Sequence, residues 1–254
     1  MYIVFLLIRQ AALRLGPAFF LLLSCLSASN VAAQNSPAWQ SVARSVGGSA
    51  NSGVALVAAN GDAVVSGSFS GPLSFGTLPP LMSSGNFNSY LARQSGADST
   101  QWQWAQVLNS SSAGRVGISD MAGLPGGDLL VVGNFFGTVR LGSFPALTSA
   151  PAVSAGFMAR IEGSTGRWLW LESYAGPADI SLASVAVAPN GDLLLSGSFA
   201  QQLSVGALPT LRSAGEADSF VARLDGQSRQ GRWAVRAGGS EADGGGSIIL
   251  FANG

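Results

Sequence analysis

The chain has no histidine and no lysine among its 254 residues, and its one cysteine is Cys25. Without an imidazole there can be no Ser-His-Asp triad and no imidazole metal site. Cys25 lies inside a segment that reads as a targeting signal. The processed chain would then carry no cysteine, hence no disulfide and no thiolate chemistry, and its core alone must stabilise it. Charge is scarce too, at 10% of residues, and every cation is an arginine. Without Arg9 and Arg14, 11 arginines face 13 acids, a net charge of about −2. That leaves no basic footprint for nucleic acid or for an anionic membrane surface. No Gly-rich phosphate loop is present, and no stretch after residue 35 carries a helical apolar stripe.

What the chain does have is apolar residues, at 47%, and 34 glycines. The apolar content excludes disorder, and the glycine points to an all-β protein with many turns. At the N-terminus, Arg9 and Arg14 precede an apolar run from Pro17 that fades by Ala28. Val31-Ala32-Ala33 then offers small residues at −3 and −1. Residues 1–33 therefore read as a signal peptide cleaved after Ala33, with a retained anchor or lipid attachment at Cys25 as alternatives. The mature chain is expected not to span a membrane, and to be extracellular or displayed at the cell surface.

The central feature is a repeat. Gly67-Ser68-Phe69 returns as Gly133-Asn134-Phe135 and as Gly197-Ser198-Phe199. Each is preceded by a turn: Asn60-Gly61-Asp62, Gly126-Gly127-Asp128 and Asn190-Gly191-Asp192. Gly76, Gly142 and Gly206 keep the same spacing, as do Pro79, Pro145 and Pro209, and Ser83, Ser149 and Ser213. A period near 65 marks one supersecondary unit used again and again. The third copy predicts strands over 182–188, 193–199, 218–224 and 231–237, with 203–213 as a broken hairpin or loop excursion. Phe69, Phe135 and Phe199 should be buried at equivalent places, as should Tyr90, Phe157 and Phe220.

Four antiparallel strands per repeat, arranged radially, make a β-propeller blade. The order Asn-Gly-Asp, strand, Gly-Ser-Phe, then Asp218-Ser-Phe-Val-Ala-Arg-Leu-Asp225 and Gly231-Arg-Trp-Ala-Val-Arg-Ala-Gly-Gly239 resembles the bacterial β-propeller repeat, often called SBBP. The resemblance spans about residues 38–254. It implies an exported surface protein, of a kind common in the Bacteroidetes, and is nearly silent on activity. Copy two departs at Gly126-Gly127-Asp128 and at Ala155-Gly156-Phe157, both read as turn variants. The expected fold is all-β: a partial β-propeller of three blades at about 49–112, 113–177 and 178–240. Residues 38–48 would supply a lone fourth strand. Residues 241–254 would be an incomplete blade, with a first strand and turn over 247–254. Such an array reads as a fragment of a longer protein, expected to self-associate through open edges.

Several residues could carry chemistry. Asp62, Asp128 and Asp192 recur either as hairpin caps or as a ring of metal ligands. Glu216-Ala217-Asp218 and Glu241-Ala242-Asp243 are either solvated turns or carboxylates for Ca²⁺. Arg93, Arg160 and Arg223 either cover an exposed sheet edge or line an anion site. Trp39, Trp102, Trp104, Trp168, Trp170 and Trp233 either pack between sheets or offer sugar-stacking platforms. A carboxylate pair for glycoside hydrolysis needs only two acids, but no pair stands apart from the repeat pattern. The reading preferred throughout is the structural one, with no catalytic, cofactor or metal residue assigned. The chain is read as a non-catalytic binding or scaffolding module for an unidentified protein or glycan. The alternative is the non-catalytic propeller part of a larger exported enzyme or adhesin. A lyase or glycosidase is the weakest reading.

Overall fold

The computed structural model describes residues 44–45, 50–58, 60–84, 88–98 and 100–250. The signal peptide expected over 1–33, Trp39 and most of the strand expected at 38–48 lie outside these residues. A short strand β1 (Arg44–Ser45) comes first. The first repeat then gives β2 (Ala50–Val57), β3 (Ala63–Phe69), a small hairpin of β4 (Pro72–Ser74) and β5 (Leu81–Met82), β6 (Asn88–Gln94) and β7 (Trp102–Ser110). The second gives β8 (Arg115–Gly123), β9 (Leu129–Phe136), the hairpin β10 (Thr138–Leu141) and β11 (Leu147–Thr148), β12 (Ser154–Ile161) and β13 (Trp168–Tyr174). The third gives β14 (Ile180–Val187), β15 (Leu193–Phe199), the hairpin β16 (Gln202–Leu203) and β17 (Leu211–Arg212), β18 (Asp218–Leu224) and β19 (Gly231–Ala237). Within each repeat the four main strands pair antiparallel in chain order. Among the described residues there is no helix long and apolar enough to cross a membrane.

The turn between the first two strands forms as the residues dictate. Gly61, Gly127 and Gly191 take φ of 86°, 92° and 86°, which a side chain would resist. Asn60 and Asn190 bond the following Asp backbone N–H through their side-chain oxygens. Gly126 replaces that asparagine in the second copy, itself at φ 90°. The glycine of the Gly-Ser-Phe signature has a different cause. Gly133 and Gly197 pair with Phe157 and Phe220 on the next strand, and those rings lie over the space a methyl group would fill. Gly67 faces Tyr90 in the same register. Ala155-Gly156 is not a turn variant: it lies within β12, opposite Phe135 and Asn134. A Cβ at Gly156 would press on Leu182 of the third repeat, so close packing selects the glycine.

The core alternates with strand period two. Leu129 and Val131 of β9 pack with Val64, Leu91 and Trp104 of the first repeat. Their neighbours Leu130 and Val132 pack with Leu182, Leu195 and Phe220 of the third. The second sheet is thus buried on both faces, and β9 reads as an unbroken apolar run, Leu-Leu-Val-Val. The expected aromatic positions are all buried, from Phe69 and Tyr90 at 3% exposure to Phe157 at 0%.

Each small hairpin folds back. β10 pairs with β7 of the preceding repeat, Arg140 lying opposite Asn109, and β4 pairs with β1. Ser83, Ser149 and Ser213 explain their recurrence here. Their hydroxyls accept the N–H of Gly71, Gly137 and Gln201, closing the loop at 2.9, 2.9 and 3.0 Å. The third hairpin, β16–β17, forms a sheet of its own. β13 stops at Tyr174, two residues short of the point β7 reaches, ahead of Gly176-Pro177, and proline has no N–H to offer a ladder.

Residues 247–250 do not form the expected strand. No ladder partner lies beside them among the described residues. The segment is held by hydroxyls instead: Ile248 N–H donates to Ser184 Oγ, and Ser196 Oγ donates to Gly246 O.

Candidate functional site

The two recurrent charges meet each other. Asp62 accepts from Arg93 Nη2 at 2.8 Å, Asp128 from Arg160 Nη2 at 2.6 Å, and Asp192 from Arg223 Nε at 2.7 Å. The arginines stand on β6, β12 and β18, each flanked by strands on both sides, so the edge-covering reading fails. The aspartates do more than cap their turns: they clasp the third strand of their own repeat. The clasp forms because the turn lies directly on Gly96, Gly163 or Gly226, where any side chain would collide with it. Gly96 and Gly163 also donate their N–H groups to the aspartate at 2.7 and 3.2 Å. Sequence reasoning passed over these glycines, although they recur with the repeat.

Environment separates the three clasps. Burial raises the Asp62 carboxyl, but the Gly96 N–H, Arg93, Asn60 and Gln103 outweigh it and hold it at about 2. Asp192 is also lowered, with Asn190, Arg223 and Arg232 overcoming the cost of burial. The first clasp is the only dry one, both side chains being 8% exposed, whereas Arg160 and Arg223 are 38% and 34% exposed. Arg93 extends further and donates to Gly163 O at 2.8 Å, beside Trp104 Nε1 at 2.7 Å. One carbonyl thus ties the first repeat to the second.

Glu216 and Glu241 are exposed, as solvated turns should be, but Asp218 is not. It opens β18, is 0% exposed, and its Oδ2 accepts from Arg236 at 2.7 Å and from the Ala214 N–H at 2.8 Å. Its Oδ1 has no partner. Among the described residues no three acids gather as a metal centre would need. Trp102, Trp104, Trp168 and Trp170 pack, and Trp39 lies outside the described residues. Trp104 lies against Gly166, while Trp170 lies under the Arg229 guanidinium at 4.9 Å. Gly166 and Arg229 occupy equivalent left-handed positions, at φ 74° and 60°. Trp102 and Trp168 sit on Gly76 and Gly142. Trp233 is 40% exposed.

Two further seams were not foreseen. The Asn134 side chain accepts from Leu182 N–H at 2.8 Å and donates to Leu182 O at 2.9 Å, imitating a strand pairing between the second and third repeats. On the first strands, Asp120 accepts from Ser184 Oγ at 2.6 Å and from Val185 N–H at 2.9 Å. Asp120 and Ser184 share one place in the register bulges of β8 and β14.

With the recurrent charges so occupied, the residues that break the pattern stand out. Position 115 is arginine where the later copies have Asp179 and Asp243, and position 136 is phenylalanine where the others have Ser70 and Ala200. The two are register partners, and the Arg115 guanidinium lies 5.5 Å from the Phe136 ring centre. They line a cleft of about 560 Å³ whose walls include Ser68 of the first repeat and Asp179 of the third. Its apolar lining includes the buried Val116 and the exposed Ala152, the latter strained at φ 61°. Asp179 Oδ1 accepts the Ser154 N–H and hydroxyl. Arg115 has no ion-pair partner among the described residues. No protein-family model and no curated protein matches the sequence.

Proposed function

We propose that this chain is an exported or surface-displayed β-propeller-repeat protein, similar to the bacterial SBBP type. Its four-stranded sheets serve as blades of a binding or scaffolding module without catalysis. The observation that carries this reading is the fate of the recurrent charges. Each repeat consumes its own Asp–Arg pair internally, as Asp62–Arg93, Asp128–Arg160 and Asp192–Arg223. A repeated catalytic or metal-binding ring would need those carboxylates turned to a ligand. What repeats here is scaffold, and the face offered to a partner varies from copy to copy. The N-terminal sequence supports export on its own terms. The test is to express the full chain in a bacterial host, fractionate the cells, and identify the first residue by mass spectrometry. The exported protein is then incubated with polysaccharides while reducing ends are assayed. A mature protein beginning at Gln34 that releases no reducing ends is expected. A cytosolic chain retaining Met1 overturns export, and release of reducing ends overturns the non-catalytic reading.

A further inference from the structure

We infer that the cleft between Arg115, Phe136 and Asp179 is a binding site for an acidic saccharide, specifically a hexuronate residue. The inference rests on the binding-module reading above and names its ligand class. In a chain built by repetition, a residue that the scaffold needs recurs. Arg115 and Phe136 do not recur, yet they touch each other and face the same cavity. The cavity's volume falls in the range of small-molecule sites.

The groups left over in the cleft define what fits. Arg115 presents a guanidinium that lies against the Phe136 ring and has no ion-pair partner among the described residues, and its planar fork suits a carboxylate. Asp179 keeps one oxygen, Oδ2, after Oδ1 has taken both bonds from Ser154, and that oxygen can accept a hydroxyl. Ser68 brings a half-buried hydroxyl with no partner among the described residues. The same cleft has an apolar lining, including Phe136, Val116 and Ala152, suited to the C–H face of a pyranose ring. A neutral sugar would leave the Arg115 charge uncompensated. A purely apolar acid would cover Asp179 and Ser68 without satisfying them, which costs free energy. A phosphate dianion would bring two charges beside the Asp179 carboxylate. A ring carrying one carboxylate and several hydroxyls answers every group.

The full-length chain should be titrated calorimetrically with digalacturonate, with a glucuronate-terminated disaccharide, and with lactose as the neutral counterpart. At least one uronate should bind saturably at one site per chain, and lactose at least tenfold more weakly. Arg115→Ala should weaken uronate binding at least tenfold, with Arg115→Lys intermediate because it keeps the charge and loses the fork. Arg140→Ala, in a separate polar cleft, should bind like the parent and control for general charge. Arg115 is exposed, so its variants should melt with the parent protein, which separates lost binding from lost folding. Failure of both uronates to bind, equal binding of lactose, or parental affinity in Arg115→Ala overturns the site. Binding followed by cleavage would leave the site standing and overturn the non-catalytic reading. An exported, inactive chain that ignores both uronates would do the reverse.

Discussion

At the scale of single residues, the three Asp–Arg clasps form a natural substitution series, because the chemistry is constant and the exposure is not. Arg93 and Asp62 are buried together, so Arg93→Ala leaves a buried carboxylate without its cation, held only by the Gly96 N–H, Asn60 and Gln103. Breaking such a pair costs about 3–5 kcal/mol. Arg160 reaches Asp128 across a partly solvated gap, and pairs of that kind are worth about 0–1 kcal/mol. Urea denaturation of both variants should give that contrast, and equal losses would mean that burial does not set the worth of the clasp. The pH dependence has a definite sign. Asp62 is held at about 2 in the fold, against roughly 3.9 in an unfolded chain, so its contribution is fully present above pH ~4. It is lost as pH falls from there toward 2. Melting temperature should drop through that window, and Asp62→Asn should flatten the part of the drop that belongs to this group. The pairing was open to sequence reasoning in principle. Aspartate and arginine recur with one period, 31, 32 and 31 residues apart, and opposite charges with a shared period invite a pair. Read singly, each has a local explanation, and the local explanations missed the contact.

At the scale of elements, local chemistry made the strands legible and distant contacts hid their partners. β15, β18 and β19 run over the residues that alternation and Asn-Gly turn chemistry specify, because both signals sit within a few residues of the strand. Nothing local states that the hairpin β10–β11 joins the sheet of the previous repeat. That choice depends on β7 running on to Ser110, and β13 ends early where Pro177 follows. Sequence reasoning saw only a broken hairpin or a loop. Arg140→Pro tests the stitch, since the N–H opposite Asn109 disappears and the ring cannot follow the ladder. Hydrogen exchange should then show faster exchange at the Ser111 amide, which donates to Thr138 O at 2.9 Å, with the β8–β9 ladder unchanged. An unaltered Ser111 amide would show that side-chain packing, not the ladder, holds the hairpin in place.

At the scale of the described array, stability is divided between neighbours. The second repeat faces the first through Leu129 and Val131 and the third through Leu130 and Val132, so adjacent residues of one strand report on different interfaces. Where each sheet packs only on its neighbours, stability approximates a sum of sheet terms and nearest-neighbour terms. Leu129 and Leu130 are both fully buried, and each change to alanine should cost about 2–5 kcal/mol. The losses should differ in place more than in size. Leu130→Ala opens the side carrying Leu182, Leu195 and Phe220, so amide protection should fall first in β14 and β15 while β2 and β3 keep theirs. Leu129→Ala should do the opposite, loosening the side that carries Val64, Leu91 and Trp104. Cross-links that bypass the apolar contacts, such as Asn134 with Leu182 and Arg93 with Gly163, oppose full separation. Each variant should therefore lose protection in a graded way across its own interface. Uniform loss over all three repeats in both variants would mean that the array opens as one cooperative unit, with coupling through these polar bridges outweighing the alternation of the core.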